Sequence, residues 1–427
     1  MKKLLLIFLI VIAGIGKQAK AQTWVTIPDA NFVTYLQGLI PSAMSGNQLN
    51  ISSSLVTSTT IINVQNKSIA NLNGIEYFTS LTYLDCSVNS LITLPTLANS
   101  INKLVCNNNQ LTSLTNLPTS LTYLYCYQNQ LTSLPAMANA VVYIECESNV
   151  LTSLPALSNS LTYLECSYNK LTNLPALPNT LIKLYCNNNK LTSLPALDNS
   201  LTYLSCGSNS LTTLPALDNV LSFLDCDYNS LTTLPALDTS LVYLACYNNY
   251  LTNIPALPNS ITDLECENNS ITTLPALPIH LNNFSCQNNS IACFPVFPNS
   301  IFDLSIDPNP YTCLPNYIYA MGSDTTIYPK CAAGNINGCT VTGISQYSSL
   351  NTQISIYPNP NNGTFVIEPN TATKQTVMVY DVNGKLVLSQ TINGKTSIDA
   401  GSLNEGVYNI SLQSSGGVVN KRIVIVK

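Results

Sequence analysis

The stretch LTYLYCYQNQLTSLPAMANA, Leu121 to Ala140, decides how the chain is read, because it returns every twenty residues in twelve consecutive copies between Leu81 and Ala320. Aligned on that period, positions 1, 4, 6, 11, 14 and 17 are almost always apolar, and position 9 is asparagine from Asn89 through Asn309. Self-similarity of this kind describes a solenoid of stacked units rather than a globule with one centre. Within each copy positions 3 to 7 alternate: Tyr123 out, Leu124 in, Tyr125 out, Cys126 in, Tyr127 out. That is the period-two mark of a short strand buried on one face, so the copies stack into a parallel sheet. Six inward side chains per copy, each contributing ~1.5–3 kcal/mol on burial, oppose the ordering of twenty residues. No copy is stable alone, and stability belongs to the stack.

The remaining positions fill in the turn. Asparagine at position 9 ends the strand, where its amide can bond the backbone of its own and neighbouring copies; without it, buried peptide groups would go unpaired at ~1–3 kcal/mol each. Proline holds position 15 in every copy except at Thr115, and often position 18 as well. Proline forbids a helix there, so the return segment is expected to run extended and polyproline-like on the convex side.

The pattern LxxLxCxxNxLxxLP resembles the leucine-rich repeat, with cysteine where the third leucine usually sits. Its short, helix-free return is similar to the LPX-type repeats of secreted bacterial effectors. The resemblance implies a mainly β fold: a horseshoe with a parallel concave sheet and an extended convex side. Some such effectors carry a ubiquitin-ligase domain, but nothing behind these repeats reads as a helical domain with an isolated nucleophilic cysteine.

The flanks read differently. Residues 1–21, MKKLLLIFLIVIAGIGKQAKA, have the charged start, apolar run and A-x-A site of a signal peptide, and no later segment is apolar enough to span a membrane. Loss of Lys2, Lys3, Lys17 and Lys20 takes the formal charge from −5 to −9. An acidic mature chain argues against nucleic acid as a partner. Residues 22–58 should cap the open end, with Asp29 as helix N-cap, Phe32, Leu36, Leu39 and Ile40 on one face, and Pro41 as the stop. This IPDxNFxxYL opening is similar to the caps of other secreted bacterial leucine-rich proteins. A degenerate first copy around Ile62, similar to an internalin-type repeat, carries Lys67 in the asparagine slot, so the solenoid is taken as 59–320.

Eleven cysteines, Cys86 through Cys286, sit at position 6 of successive copies. In-register strands hold their Cβ atoms ~4.8 Å apart and parallel, wider than a disulfide prefers, so a ladder of buried thiols is expected rather than bridges. Cys293, Cys313, Cys331 and Cys339 break the register. Four cysteines allow three connectivities; the preferred one pairs Cys293 with Cys313, twenty apart at position 13, and Cys331 with Cys339, making 321–339 a disulfide-type cap. Zinc is the weaker reading, for want of a nearby histidine or CxxC spacing.

Residues 340–353 form a polar linker, after which seven short strands separated by turn signals suggest a small, immunoglobulin-like β-sandwich over 354–427. The segments YPNPNNGTF (357–365), VYDVNGKLV (379–387), GVYNISL (406–412) and the final KRIVIVK resemble the type A sorting domain of the type IX secretion system. That resemblance implies export to the outer surface or medium, with a sortase-like peptidase removing the tail.

Outward strand positions leave one variable face. Its candidate ligand-binding residues are Tyr123, Tyr125, Tyr127, Tyr143, Tyr163, Tyr185, Tyr203, Phe223 and Tyr243, interleaved with Glu145, Glu147, Glu165, Asp225, Asp227, Asp263, Glu265 and Glu267. Aromatic rings with polar tips give large contact area at low entropic cost, which suits a protein or glycan ligand; the alternative is that they only cover the sheet as cross-strand pairs. The acids could also hold Ca²⁺, although no calcium-loop spacing is present. The single histidine, His280, falls in a turn away from this face, and no catalytic residue, metal or cofactor is assigned. The expectation is therefore a non-enzymatic binding protein, with a passive adhesion or surface-layer spacer as the alternative and an exported hydrolase behind both.

Overall fold

The computed structural model describes residues 23–115, 117–197, 200–217, 220–322, 328–331, 354–369, 374–381, 385–414 and 417–427. The expected signal segment 1–21, the expected linker 340–353 and Cys339 lie outside them. The chain divides into two compact units, Met1–Cys339 and Thr340–Lys427.

The first unit opens with β1 (Trp24–Thr26), helix α1 (Ala30–Leu39), β2 (Met44–Ser45) and β3 (Gln48–Asn50), the three strands forming a small antiparallel sheet in the order β1-β3-β2. Asp29 caps α1 by accepting from the amides of Asn31 and Phe32 through one carboxylate oxygen. Its other oxygen accepts from Ala70 and Asn71 at 2.8 and 3.2 Å, which ties the cap to the first turn of the solenoid. Phe32 and Leu36 are buried as expected, and so is Ile40, where the backbone leaves the helix. Leu39 departs from that face and stays 40% exposed.

Thirteen parallel strands follow in strict chain order, from β4 (Ile61–Asn63) to β16 (Asp303–Ser305). Each pairs with the residue twenty further on, as Tyr143 does with Tyr163; the first pair alone is offset by twenty-two, Ile62 against Leu84. The copy around Ile62 is thus a genuine first turn. Among the described residues the return segments carry no helix beyond 3-10 turns in the first and last of them, at Ile75–Tyr77 and Tyr319–Met321, and the proline-bearing segments between run without one. The inward columns close: Leu124, Cys126 and Leu131 are 0% exposed and their equivalents are buried as far as Ile291, while Leu304 and Tyr311 in the last turn are partly open.

All eleven position-6 cysteines are buried free thiols. Burial pushes each thiol up, that of Cys106 to about 12, so they pack as small apolar groups and are poor nucleophiles.

Asparagine at position 9 knits the turns together. The side-chain amide of Asn189 donates to the carbonyls of Cys166, Cys186 and Asn187 at 3.0–3.2 Å, and its oxygen accepts from the amide of Leu171 at 3.0 Å. In the first turn Lys67 cannot do this; Asn89 makes its usual bonds back to Ile69 and Val64 and also accepts from the amide of Lys67. One feature had no signal in the sequence. The residue before each asparagine, from Val88 (φ 55°) through Tyr168 (φ 53°) to Asn288 (φ 53°), lies in the left-handed region, the bend that turns the chain out of the strand.

The cysteine pairing differs from the expected one. Cys313 is bonded to Cys331, with their Cα atoms 4.9 Å apart, and Cys293 is bonded elsewhere rather than to Cys313. The reason is an isolated parallel bridge in the last return segment, where Leu314 pairs with Lys330: Leu314 donates to Pro329 and accepts from Cys331, which brings Cys331 within reach of Cys313.

In the second unit, strands Ile354–Tyr357, Thr364–Pro369 and Thr396–Asp399 form one antiparallel sheet. Leu386–Asn393, Lys374–Tyr380, Gly406–Ser414 and Gly417–Ile425 form a second, in that order. Phe365, Ile367 and Ile398 from the first sheet share a core with Val377, Val379, Ile410 and Ile423 from the second, giving a sandwich. Asn359 and Asn361 clasp the final strand: Asn359 donates to Arg422 and accepts from Val424, while the side chain of Asn361 donates to Val424 and accepts from Gly363.

Candidate functional site

Because leucine and cysteine occupy the inward positions of every strand, positions 3, 5 and 7 must face outward, and the seventeen residues singled out for binding all do so. Tyr123 is exposed and the other sixteen are half-buried.

The rings form one continuous ladder. Tyr123 and Tyr125 both lean on Tyr143, with centroids at 6.1 and 5.2 Å; Tyr143 stacks on Tyr163 at 4.2 Å and 8°. Column 3 then loses its ring, since Lys183 stands there. Tyr185 from column 5 leans in and carries the ladder across, 5.5 Å from Tyr163 and 4.6 Å from Tyr203. Tyr203, Phe223 and Tyr243 complete it, stacked at 4.0 and 4.4 Å within 5° of parallel. Tyr127 lies outside this run, its hydroxyl held up by burial and by Glu145 and Glu147.

The acids sit in two groups beside the rings. In the first, the hydroxyl of Tyr143 donates to Glu145 and the amide of Ser167 donates to Glu165. Burial raises Glu165 and lifts Glu147 to about 7, with the negative charge of its neighbours adding to the effect. One carboxylate oxygen of Glu147 has no hydrogen-bond partner. In the second group, Ser205 donates to Asp225 at 2.9 Å and Asp225 accepts from the amide of Asp227 at 3.3 Å. Burial raises Asp227 to about 6, against a hydrogen bond from Tyr247 and with Asp225 and Glu265 reinforcing it. Glu265 and Glu267 are raised by burial too, and Asp263 is bonded to Thr262 and Asn283.

Several contributors were not singled out from the sequence. Gly207 is the one glycine in column 7, and a Cβ there would come within 1.9 Å of an Asp227 carboxylate oxygen, so its bareness makes room for that side chain. Lys103 places its ammonium 5.0 Å from the Tyr125 ring and 5.7 Å from Tyr83, and Lys183 lies 5.9 Å from Tyr203. Their signal was visible as two lysines in a column of tyrosines. No group of three or more metal-ligating side chains occurs among the described residues, and His280 is exposed in its turn.

A parallel solenoid of twenty-residue turns with an aromatic and acidic outer face, joined in sequence to a seven-stranded sandwich, defines a repeat protein whose surface is open for contacts. Comparison with known proteins makes this specific. Residues 355–426 match the secretion system C-terminal sorting domain. The solved structure of YopM from Yersinia enterocolitica is 30% identical over 62% of this chain and 67% of that one, with a TM-score of 0.50. YopM from Yersinia pestis, described as a leucine-rich effector protein, is 29% identical over 68% and 96%, TM-score 0.49. The functional domain of InlJ from Listeria monocytogenes, described as including a cysteine ladder, is 20% identical over 95% and 99%, TM-score 0.40. Among curated proteins none matches. The chain belongs to the bacterial leucine-rich repeat proteins and bears a type IX sorting domain, which marks it for export and surface attachment. No helix among the described residues is long and apolar enough to cross a membrane.

Proposed function

We propose that this is a secreted or surface-held, non-enzymatic binding protein that takes a protein or glycan ligand on the ringed face between Tyr123 and Glu267. In this reading residues 1–21 start export and 22–58 and 321–339 close the ends of the 59–320 solenoid. Residues 340–353 link it to 354–427, which the type IX machinery reads and a sortase-like peptidase removes. The observation that carries the proposal is the ladder itself: seven successive turns, Tyr123 to Tyr243, contribute rings to one outward surface, while the same strands spend their inward positions on an ordinary apolar core. A surface organised for contact explains that division of labour.

The test is a triple variant, Tyr123→Ala, Tyr143→Ala and Tyr163→Ala, compared with the wild type on arrays of extracellular proteins and glycans. Loss of a wild-type ligand with unchanged circular dichroism is expected. Binding untouched by the three substitutions would favour the passive spacer, ~55–60 Å along its stack at ~4.8 Å per turn. The intact mass of the extracellular form reads tail removal and any attached polysaccharide in one measurement.

A further inference from the structure

Resting on that binding reading, we infer that the ligand is a basic segment of a protein, with two groups of lysine or arginine side chains ~19 Å apart, and that the face does not take sugar rings. Sugars are held by aromatic residues through the open faces of the rings. Here the faces of five rings are turned on one another: Tyr203, Phe223 and Tyr243 stack at 4.0 and 4.4 Å, and Tyr143 on Tyr163 at 4.2 Å, spacings that admit nothing between them. What points away from the sheet is a row of ring edges and hydroxyls, bordered by carboxylates.

Charge then selects the partner. Glu145, Glu147 and Glu165 form one acidic group and Asp225, Asp227 and Glu265 another, with Glu145 and Asp225 four turns apart in the same column. At ~4.8 Å per turn that separation is ~19 Å. Among the described residues none of these acids has a lysine or arginine within ion-pair distance; the one ion pair, Lys395 with Glu368, belongs to the sorting domain. The solenoid also shows how the face receives an ammonium group. At the two turns where column 3 lacks a ring within the tyrosine run, Lys103 and Lys183 place their own Nζ atoms 5.0 and 5.9 Å from the rings of Tyr125 and Tyr203. A cation set against tyrosine in this way is attracted by the negative face of the ring, and neighbouring carboxylates add to the attraction. In an extended peptide, side chains ~19 Å apart are about six residues apart.

The experiment uses the purified full-length chain and fluorescence anisotropy at low ionic strength. The probes are a labelled peptide with two arginine pairs six residues apart, the same composition with the four arginines contiguous, an acidic peptide of equal length, and cello- and chito-hexaose. The spaced basic peptide is expected to bind best, to weaken steeply with added salt, and to bind at least tenfold less tightly to the variant Glu145→Gln, Glu147→Gln, Asp225→Asn, Asp227→Asn. Glu165→Gln serves as a milder variant should the quadruple one melt early. A hexaose bound more tightly than the basic peptide overturns the inference while leaving the binding function standing. Equal affinity of wild type and charge-neutralised variants overturns it, and so does failure to bind the spaced basic peptide; the arrays judge the binding function separately.

Discussion

The two units use the same side chain for opposite purposes. In the solenoid, asparagine recurs at every turn after the first, and each one serves the backbone of two turns at once, as Asn189 does for Leu171 and Cys166 as well as its own strand. In the sandwich, Asn359 and Asn361 act once, holding a single terminal strand through Arg422 and Val424. The periodic arrangement spreads its dependence over the whole stack, so that a loss in the middle severs it into two shorter ones. The solitary arrangement puts the dependence in one place, and its loss is confined to one strand.

The largest effect should come from Asn189→Ala. It strips four hydrogen bonds at the centre of the stack, a cost of about 3–5 kcal/mol, and urea unfolding followed by circular dichroism should show an early, split transition. A single transition at the wild-type midpoint would remove the contrast altogether. Asn361→Ala comes next, with about 1–2 kcal/mol lost locally. Hydrogen exchange on the full chain should show faster amides in Gly417–Ile425 and unchanged ones in the solenoid.

A smaller effect depends on pH. Glu147 and Asp227 are raised in the folded protein, to about 7 from 4.5 and to about 6 from 3.8. Protonated carboxyls therefore favour the fold: their stabilisation is complete below the unfolded values and is lost as pH rises through about 6 to 7. The melting temperature of the solenoid should fall across that window, and Glu147→Gln should flatten the fall. The smallest change is a gain. Val88 holds a left-handed backbone angle that a β-branched residue resists, so Val88→Asn should add about 0.5–1 kcal/mol. An unchanged or lowered melting temperature would show that this bend is not under strain.

Most of the solenoid was legible because its information is periodic. Leu124, Cys126 and Asn129 each repeat a dozen or so times, and repetition turns a weak local preference into a register. Features that occur once were less accessible. The Cys313–Cys331 bond depends on the isolated bridge by which residues 329–331 pair with Leu314, which no spacing of cysteines encodes. The left-handed bend is shared by twelve turns, yet residues as unlike as Val88, Tyr168 and Asn288 occupy it, and Asn66 adopts it with Lys67 rather than asparagine after it, so the path of the turn imposes the conformation and not the residue that adopts it. For the candidate face, the columns could be read from the strand alternation. The step of the ladder from Tyr163 to Tyr185 could not, since it crosses columns to bypass Lys183, and only side-chain packing in three dimensions reveals that crossing.

The eleven buried thiols carry a consequence for the protein's journey. They are inert because neighbouring turns shut them away, and an unstacked chain has no such shelter. On a route that passes through an oxidising compartment, the order of events matters: stacking has to outpace oxidant, or stray cross-links would lock the repeats out of register before they meet. Stacking that starts at any turn and spreads to its neighbours keeps that race short.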